Sequence, residues 1–135
     1  MKVLTIREPW ASLVGCGVKI IETRSWPTSY RGELYIHAGV HKISEKDERA
    51  VRLSKLIPDN RLHYGEIFMK CNLIDCIKID EDYAKRVQAE TPENYECGNY
   101  TAGRYAWILS NVEYIEPISA KGRLSIWNYE KNEQC

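Results

Sequence analysis

The chain has 135 residues, 44% of them apolar and 28% charged, and its 19 lysines and arginines are matched by 19 aspartates and glutamates. That length and balance fit one globular domain and exclude a disordered, collagen-like or repeat chain. A formal net charge of zero excludes a domain that holds nucleic acid by bulk positive charge, and leaves a local cationic site open.

Residues 2–6 alternate and are rich in β-branched side chains, which predicts a short strand. Glu8-Pro9 then opens a helix, with Trp10, Leu13 and Val14 on one face. Gly15 and Gly17 stop it. Residues 19–25 read as extended, followed by turns at Pro27-Thr28-Ser29 and Arg31-Gly32. Residues 33–38 alternate as a half-buried strand, with Leu34, Ile36 and Ala38 on one side and Tyr35 and His37 on the other.

Ser44 with Asp47 three residues later predicts a helix that runs to about Ile57 and ends at Pro58. Residues 65–79 carry the longest strand pattern, with Ile67, Met69, Cys71, Leu73, Ile77 and Ile79 of one parity. A strand of that length in so small a domain must curl or break near Asn72. A helix is expected over 80–90, with Tyr83, Ala84 and Val87 inward, and a polar loop over 91–103. Strands at 104–110, 112–118 and 123–129 close the chain, the first of them central because it is apolar on both faces. The expected class is α+β, a small curled β-barrel of about six strands with two or three peripheral helices. One domain is expected over residues 1–130, with 131–135 a flexible tail.

No apolar run approaches the roughly 20 residues that span a bilayer. Arg7 and Glu8 also come too early for a signal peptide. The expectation is a cytoplasmic protein with no membrane partner. The five cysteines (Cys16, Cys71, Cys76, Cys97 and Cys135) are odd in number and form no CxxC pair, which predicts reduced thiols rather than disulfides or a zinc site. His37 and His41 are four apart, but His37 sits in a predicted strand, so no metal site is expected. No Walker loop, GxGxxG loop or nucleophile elbow occurs, and no cofactor is expected.

The charge is unevenly spread. Residues 1–42 hold six basic and three acidic side chains, whereas residues 43–99 hold nine and twelve. The positive first third favours a small anion site, suited to a nucleotide or a short single strand rather than an extended duplex. Nine tyrosines and four tryptophans against one phenylalanine suit half-wet faces that stack on planar ligands. The most pointed stretch runs from Gly17 to Trp26. In an extended chain Glu22, Arg24 and Trp26 share a face. Arg24 can there hold a phosphate or carboxylate with its planar fork. Lys19 follows two glycines that let a ligand approach the backbone. Two pairings are open for Glu22. Bound to Arg24, it leaves Lys19 available for chemistry; bound to Lys19, it keeps the amine protonated.

The spacing Gly17-x-Lys19-x-x-Glu22-x-Arg24 resembles the hallmark of ASCH domains, a group similar to PUA domains. The resemblance extends to Leu4-Thr5-Ile6-Arg7-Glu8-Pro9-Trp10-Ala11, to Arg24-Ser25-Trp26-Pro27 with Tyr30-Arg31-Gly32 and Ile36-His37-Ala38, and to Tyr105-Ala106-Trp107-Ile108-Leu109, Pro117, Lys121-Gly122 and Leu124. It covers nearly the whole chain, least clearly 43–63 and 80–99, and is most similar to small stand-alone bacterial and viral members. It implies a PUA-like barrel with a nucleic-acid or nucleotide cleft beside the helix that precedes the motif. Many members are regarded as RNA-binding. One small bacterial subgroup hydrolyses acetylated cytidine nucleosides with the motif lysine and a threonine three positions later, where this chain has Glu22. Ribonuclease activity has been credited to others.

The resemblance thus implies an RNA- or nucleotide-binding protein. Arg7, Arg24 and Arg31 would contact phosphate, Trp10 or Trp26 would stack on a base, Gly17 and Tyr105 would line the site, and His37 would reach it from the Tyr35 face of its strand. The alternatives are an amidohydrolase or ribonuclease using Lys19 and Glu22, and a protein-interaction module with a protein partner.

Overall fold

The computed structural model describes residues 1–130; the expected tail at 131–135 and Cys135 lie outside them. Strand β1 (Lys2–Ile6) is followed by helix α1 (Trp10–Gly15), strands β2 (Ile21–Arg24) and β3 (Gly32–Ala38), and helix α2 (Glu48–Ser54). Then come strand β4 (Glu66–Lys78), helices α3 (Glu81–Glu90) and α4 (Pro92–Glu96), and strands β5 (Tyr105–Ser119) and β6 (Ile126–Asn128).

The strands form one sheet in the order β2-β5-β4-β3-β1-β6. β1 and β3 run parallel, and every other pair is antiparallel. The long ribbon β4–β5 shifts register between Ile67 and Met69, Lys70 and Asn72, and Leu73 and Asp75. Each shift leaves one or two residues unmatched and bends the ribbon, so the sheet curls into a half-barrel. The curl brings Arg24, at the end of edge strand β2, back to β1, where its Nη2 donates to the Thr5 carbonyl at 2.8 Å.

The concave side is filled by Leu4, Ile6, Leu34, Ile36, Met69, Leu73 and Trp107, with Ala11 and Val14 of α1 packed on them. Glu8 fixes α1 from beneath. Its buried carboxylate accepts from the Ser12 amide at 2.8 Å, the Ser12 hydroxyl at 2.6 Å and the His63 amide at 2.8 Å.

Four sequence expectations change. The strands foreseen at 104–110 and 112–118 are one strand. Asn111 between them takes φ +52, a left-handed conformation asparagine tolerates, and the chain kinks while both halves keep pairing with β4. The helix foreseen from Ser44 starts at Glu48, because Asp47 is the cap: its Oδ1 accepts from the Ala50 amide at 3.0 Å, while Ser44 Oγ accepts from Lys46 in a separate turn. The loop foreseen over 91–103 contains α4, started by Pro92 in its first turn; the described residues thus hold four α-helices where two or three were expected. The last strand shrinks to Ile126–Asn128. Among the described residues, no helix is long and apolar enough to cross a membrane.

Two core thiols make stability depend on alkaline pH. Burial pushes Cys71 from 9.0 up to about 12. It pushes Cys97 up to about 11, against a smaller downward pull from Lys19. Each folded thiol keeps its proton after the unfolded chain has released it. Their contribution is therefore full below pH 9 and is lost as pH rises through the folded values near 11 and 12. Urea melts between pH 7 and 12 are expected to show a decline that starts near 9 and is shallower in Cys71→Ala. Identical declines in the two proteins would overturn the assignment.

Candidate functional site

A cleft of about 390 Å³ lies where the curl brings β2 to the end of β1. Thr5 and Arg7 border it on one side, Trp10 of α1 and Arg49 of α2 on another, Glu22, Arg24 and Trp26 on a third, and the stretch from Cys97 to Arg104 on the fourth.

Its floor is a chain of charges. Lys19 is 1% exposed. Its Nζ donates to the Ile21 carbonyl at 2.8 Å and the Cys97 carbonyl at 2.9 Å, and stands 3.3 Å from Glu22 Oε1. The other Glu22 oxygen is 2.9 Å from Arg24 Nη2, which also donates to Thr5. Of the two pairings open in the sequence, the fold makes both. An ammonium has three donors and no acceptor; here three oxygens surround it. The Arg24 Nε–H is buried and meets no acceptor among the described residues.

The turn before Lys19 explains Gly17. Its φ of +87 is a conformation that glycine adopts without steric cost. The reversal lets the Lys19 amide donate back to the Leu13 carbonyl at 3.0 Å.

β2 is an edge strand, and its outer side is closed by α4. Asn94, 3% exposed, accepts from the amides of Ile20 at 2.8 Å and Ile21 at 3.2 Å through Oδ1. Its Nδ2 donates to Thr91 Oγ1 and the Tyr100 hydroxyl. The next loop presses on β2 as well. Asn99 N donates to Thr23 Oγ1 at 2.9 Å, and a Cβ on Gly98 would meet Thr23 at 3.1 Å and Tyr100 at 2.9 Å. That approach needs glycine.

The walls are cationic and aromatic. Arg104 is held by the carbonyls of Asn99 at 3.1 Å and Thr23 at 3.3 Å. Arg49 lies over the Trp10 ring, 5.5 Å from its centroid. Trp26 stands edge-on to Trp107, with centroids 4.7 Å apart, and its carbonyl accepts from the Trp107 indole. Four guanidiniums and one ammonium thus face a single carboxylate. Among the described residues Arg7, Arg49 and Arg104 join no ion pair. The Cys97 thiol at the base, pushed up to about 11, is protonated at neutral pH and a poor nucleophile. Such a cleft can bind a phosphorylated ligand with a flat ring.

Of the residues singled out in the sequence, the fold gathers Arg7, Trp10, Lys19, Glu22, Arg24 and Trp26 around this cleft. Four others lie elsewhere. Gly17 faces the groove between α1 and α4. Arg31 closes its own turn on the Thr28 and Tyr30 carbonyls and sits 3.7 Å from Asp75. His37, 1% exposed, is bonded to Thr5 Oγ1 and the Ala120 carbonyl. Tyr105 packs against the main core. Sequence reasoning missed Arg49, Arg104, Thr23, Asn94 and the Gly98-Asn99 loop. No local spacing marks them; Arg49 comes from the acidic middle of the chain.

A model of the ASCH domain family matches residues 4–119. The chain is 26% identical over 130 residues to activating signal cointegrator 1 of Homo sapiens, and equally to that of Mus musculus. The match covers 94% of this chain but only 22% of those relatives. Among solved structures, an ASCH protein of Zymomonas mobilis in a tyrosine-to-phenylalanine variant superposes with a TM-score of 0.54 at 15% identity. That match covers 87% of this chain and 74% of the other, and it speaks for the fold alone.

Proposed function

The chain belongs to the ASCH domain family, and from that premise we propose that its cleft binds RNA as a short single strand, or a single nucleotide of one. Arg7, Arg24, Arg49 and Arg104 contact phosphate, and Trp10 or Trp26 offers a face to a base. The observation that carries this reading is the excess of guanidinium over carboxylate in a cleft of about 390 Å³, a volume in the range of ligand sites. Bases stack on aromatic side chains with about 1–3 kcal/mol each. A cytoplasmic setting accords with this reading.

Lys19 and Glu22 act as the floor that aims Arg24. Their geometry supports binding over hydrolysis. A base or nucleophile needs a lone pair directed at the substrate, and Lys19 Nζ instead aims its donors at Ile21, Cys97 and Glu22.

Fluorescence anisotropy with a labelled eight-nucleotide RNA tests the proposal. The double variant Arg49→Ala/Arg104→Ala is expected to bind about tenfold or more weakly. Its plot of log affinity against log salt should be shallower by about 1.4, twice the ~0.7 that each phosphate contact on a single strand contributes. Binding indifferent to salt, or equal in variant and wild type, would sink the assignment. Turnover of an acetylated cytidine nucleoside or of the RNA by the wild type would replace it with the hydrolytic reading.

A further inference from the structure

A second depression, of about 480 Å³, lies along β6 and the segment leading into it. Lys121, Arg123, Trp127 and Tyr129 line it, together with one acid, Glu130. Among the described residues neither Lys121 nor Arg123 joins an ion pair.

Residues 120–122 lie against the sheet. The Ala120 amide donates to the Gly65 carbonyl at 3.0 Å, and the Ala120 carbonyl is 2.7 Å from His37 Nε2. A Cβ on Gly122 would stand 3.0 Å from the His37 ring and 3.1 Å from Thr5 Oγ1. Gly122 therefore faces inward, and its exposed neighbours Lys121 and Arg123 flank it. Leu124 is 93% exposed beside them. An isolated exposed leucine is ordinary; this one directly follows Arg123, which lines the depression.

Thr5 borders the cleft and is bonded to a residue that lines the second depression. Its carbonyl accepts from Arg24 at 2.8 Å on the cleft side, and its hydroxyl accepts from the Trp127 indole at 3.1 Å on the other. One residue of β1 thus links the Arg24 guanidinium to Trp127, which lines the second depression.

We propose that residues 120–129 carry a second nucleotide subsite, continuous with the cleft across Thr5, so that the preferred ligand is a single strand of several nucleotides rather than a free nucleotide. Lys121 and Arg123 take the phosphates of the neighbouring nucleotides, and Leu124 and Tyr129 contact their bases. The subsite rests on the reading of the cleft as a nucleotide site.

Titrations with a nucleoside monophosphate, a tetranucleotide and an octanucleotide separate the two ideas. The wild type is expected to gain tenfold or more in affinity from the monophosphate to the octanucleotide. Lys121→Ala/Arg123→Ala should keep the monophosphate affinity, lose most of that gain, and flatten the salt dependence by about 1.4. Leu124→Ser should lose part of the gain with no change in salt dependence. All three positions are exposed, and circular dichroism should report an unchanged fold. Octanucleotide binding equal in the double variant and the wild type would overturn the second subsite while leaving the cleft in place. A wild type that binds neither monophosphate nor octanucleotide would overturn both. An acidic peptide that binds at residues 120–129 where the octanucleotide does not would turn the surface into a protein contact and overturn it too.

Discussion

Replacing Glu22 with alanine is expected to lower the free energy of unfolding by about 3–5 kcal/mol, the usual cost of leaving one partner of a buried ion pair behind. Glu22 is itself buried, 3.3 Å from a Lys19 ammonium that is 1% exposed and 2.9 Å from Arg24. Without the carboxylate the ammonium keeps two carbonyls and no counter-charge. It cannot turn to water, because the Leu13 reversal, the Cys97 carbonyl and the Ile21 carbonyl fix the lysine from three directions.

The double variant Lys19→Met/Glu22→Gln removes the uncompensated ammonium and should recover part of the loss; the remainder is the cost of the Ile21 and Cys97 carbonyls left without the lysine donor and of Arg24 without its carboxylate. Urea denaturation of the single and double variants measures this. A loss below about 1 kcal/mol in Glu22→Ala would show that the carboxylate is not what compensates Lys19. RNA affinity should fall in Glu22→Ala as well, since the carboxylate is what orients Arg24 toward the cleft.

Asn94→Ala is expected to cost about 1–3 kcal/mol, because it strips the acceptor from the buried Ile21 amide and a buried unmet donor costs about that much, while the half-exposed Ile20 amide can turn to water. Those amides, on Ile20 and Ile21, lie at the outer side of edge strand β2. An edge left unpaired is a place where strands fray or join other chains. The motif strand should loosen, so RNA affinity should fall with stability even though Asn94 does not line the cleft. Asn94→Asp keeps an acceptor at the same place and should be milder than alanine. A stable Asn94→Ala protein with wild-type affinity would mean that α4 does not hold the site.

The two variants mark where reading the chain stopped. Strands β1, β3 and β4 were visible because alternation has a period of two and needs only neighbours in sequence. The helix before the motif was visible from Pro9 and from the apolar spacing of Trp10, Leu13 and Val14. The two strands expected on either side of Asn111 differ from the single β5 because pairing with β4 carries the chain through a kink that local rules read as an end. α4 was hidden because a polar five-residue helix has too few positions to show a period.

The candidate site divides in the same way. The motif placed Lys19, Glu22 and Arg24 together with no help from the fold, since they lie within six residues of one another in the chain. The family was legible in the chain too, because it depends on the order of short blocks such as Arg7-Glu8-Pro9-Trp10 and Arg24-Ser25-Trp26-Pro27, each of which is local. Folding alone puts Arg49 and Arg104 in the cleft with Arg24, leaves Arg31, His37 and Tyr105 out of it, and meets all three Lys19 donors. Those outcomes depend on the curl of a sheet whose edge strand β2 returns to β1. The curl arises from register shifts between β4 and β5, and a register shift is a relation between distant segments that no window of neighbouring residues contains.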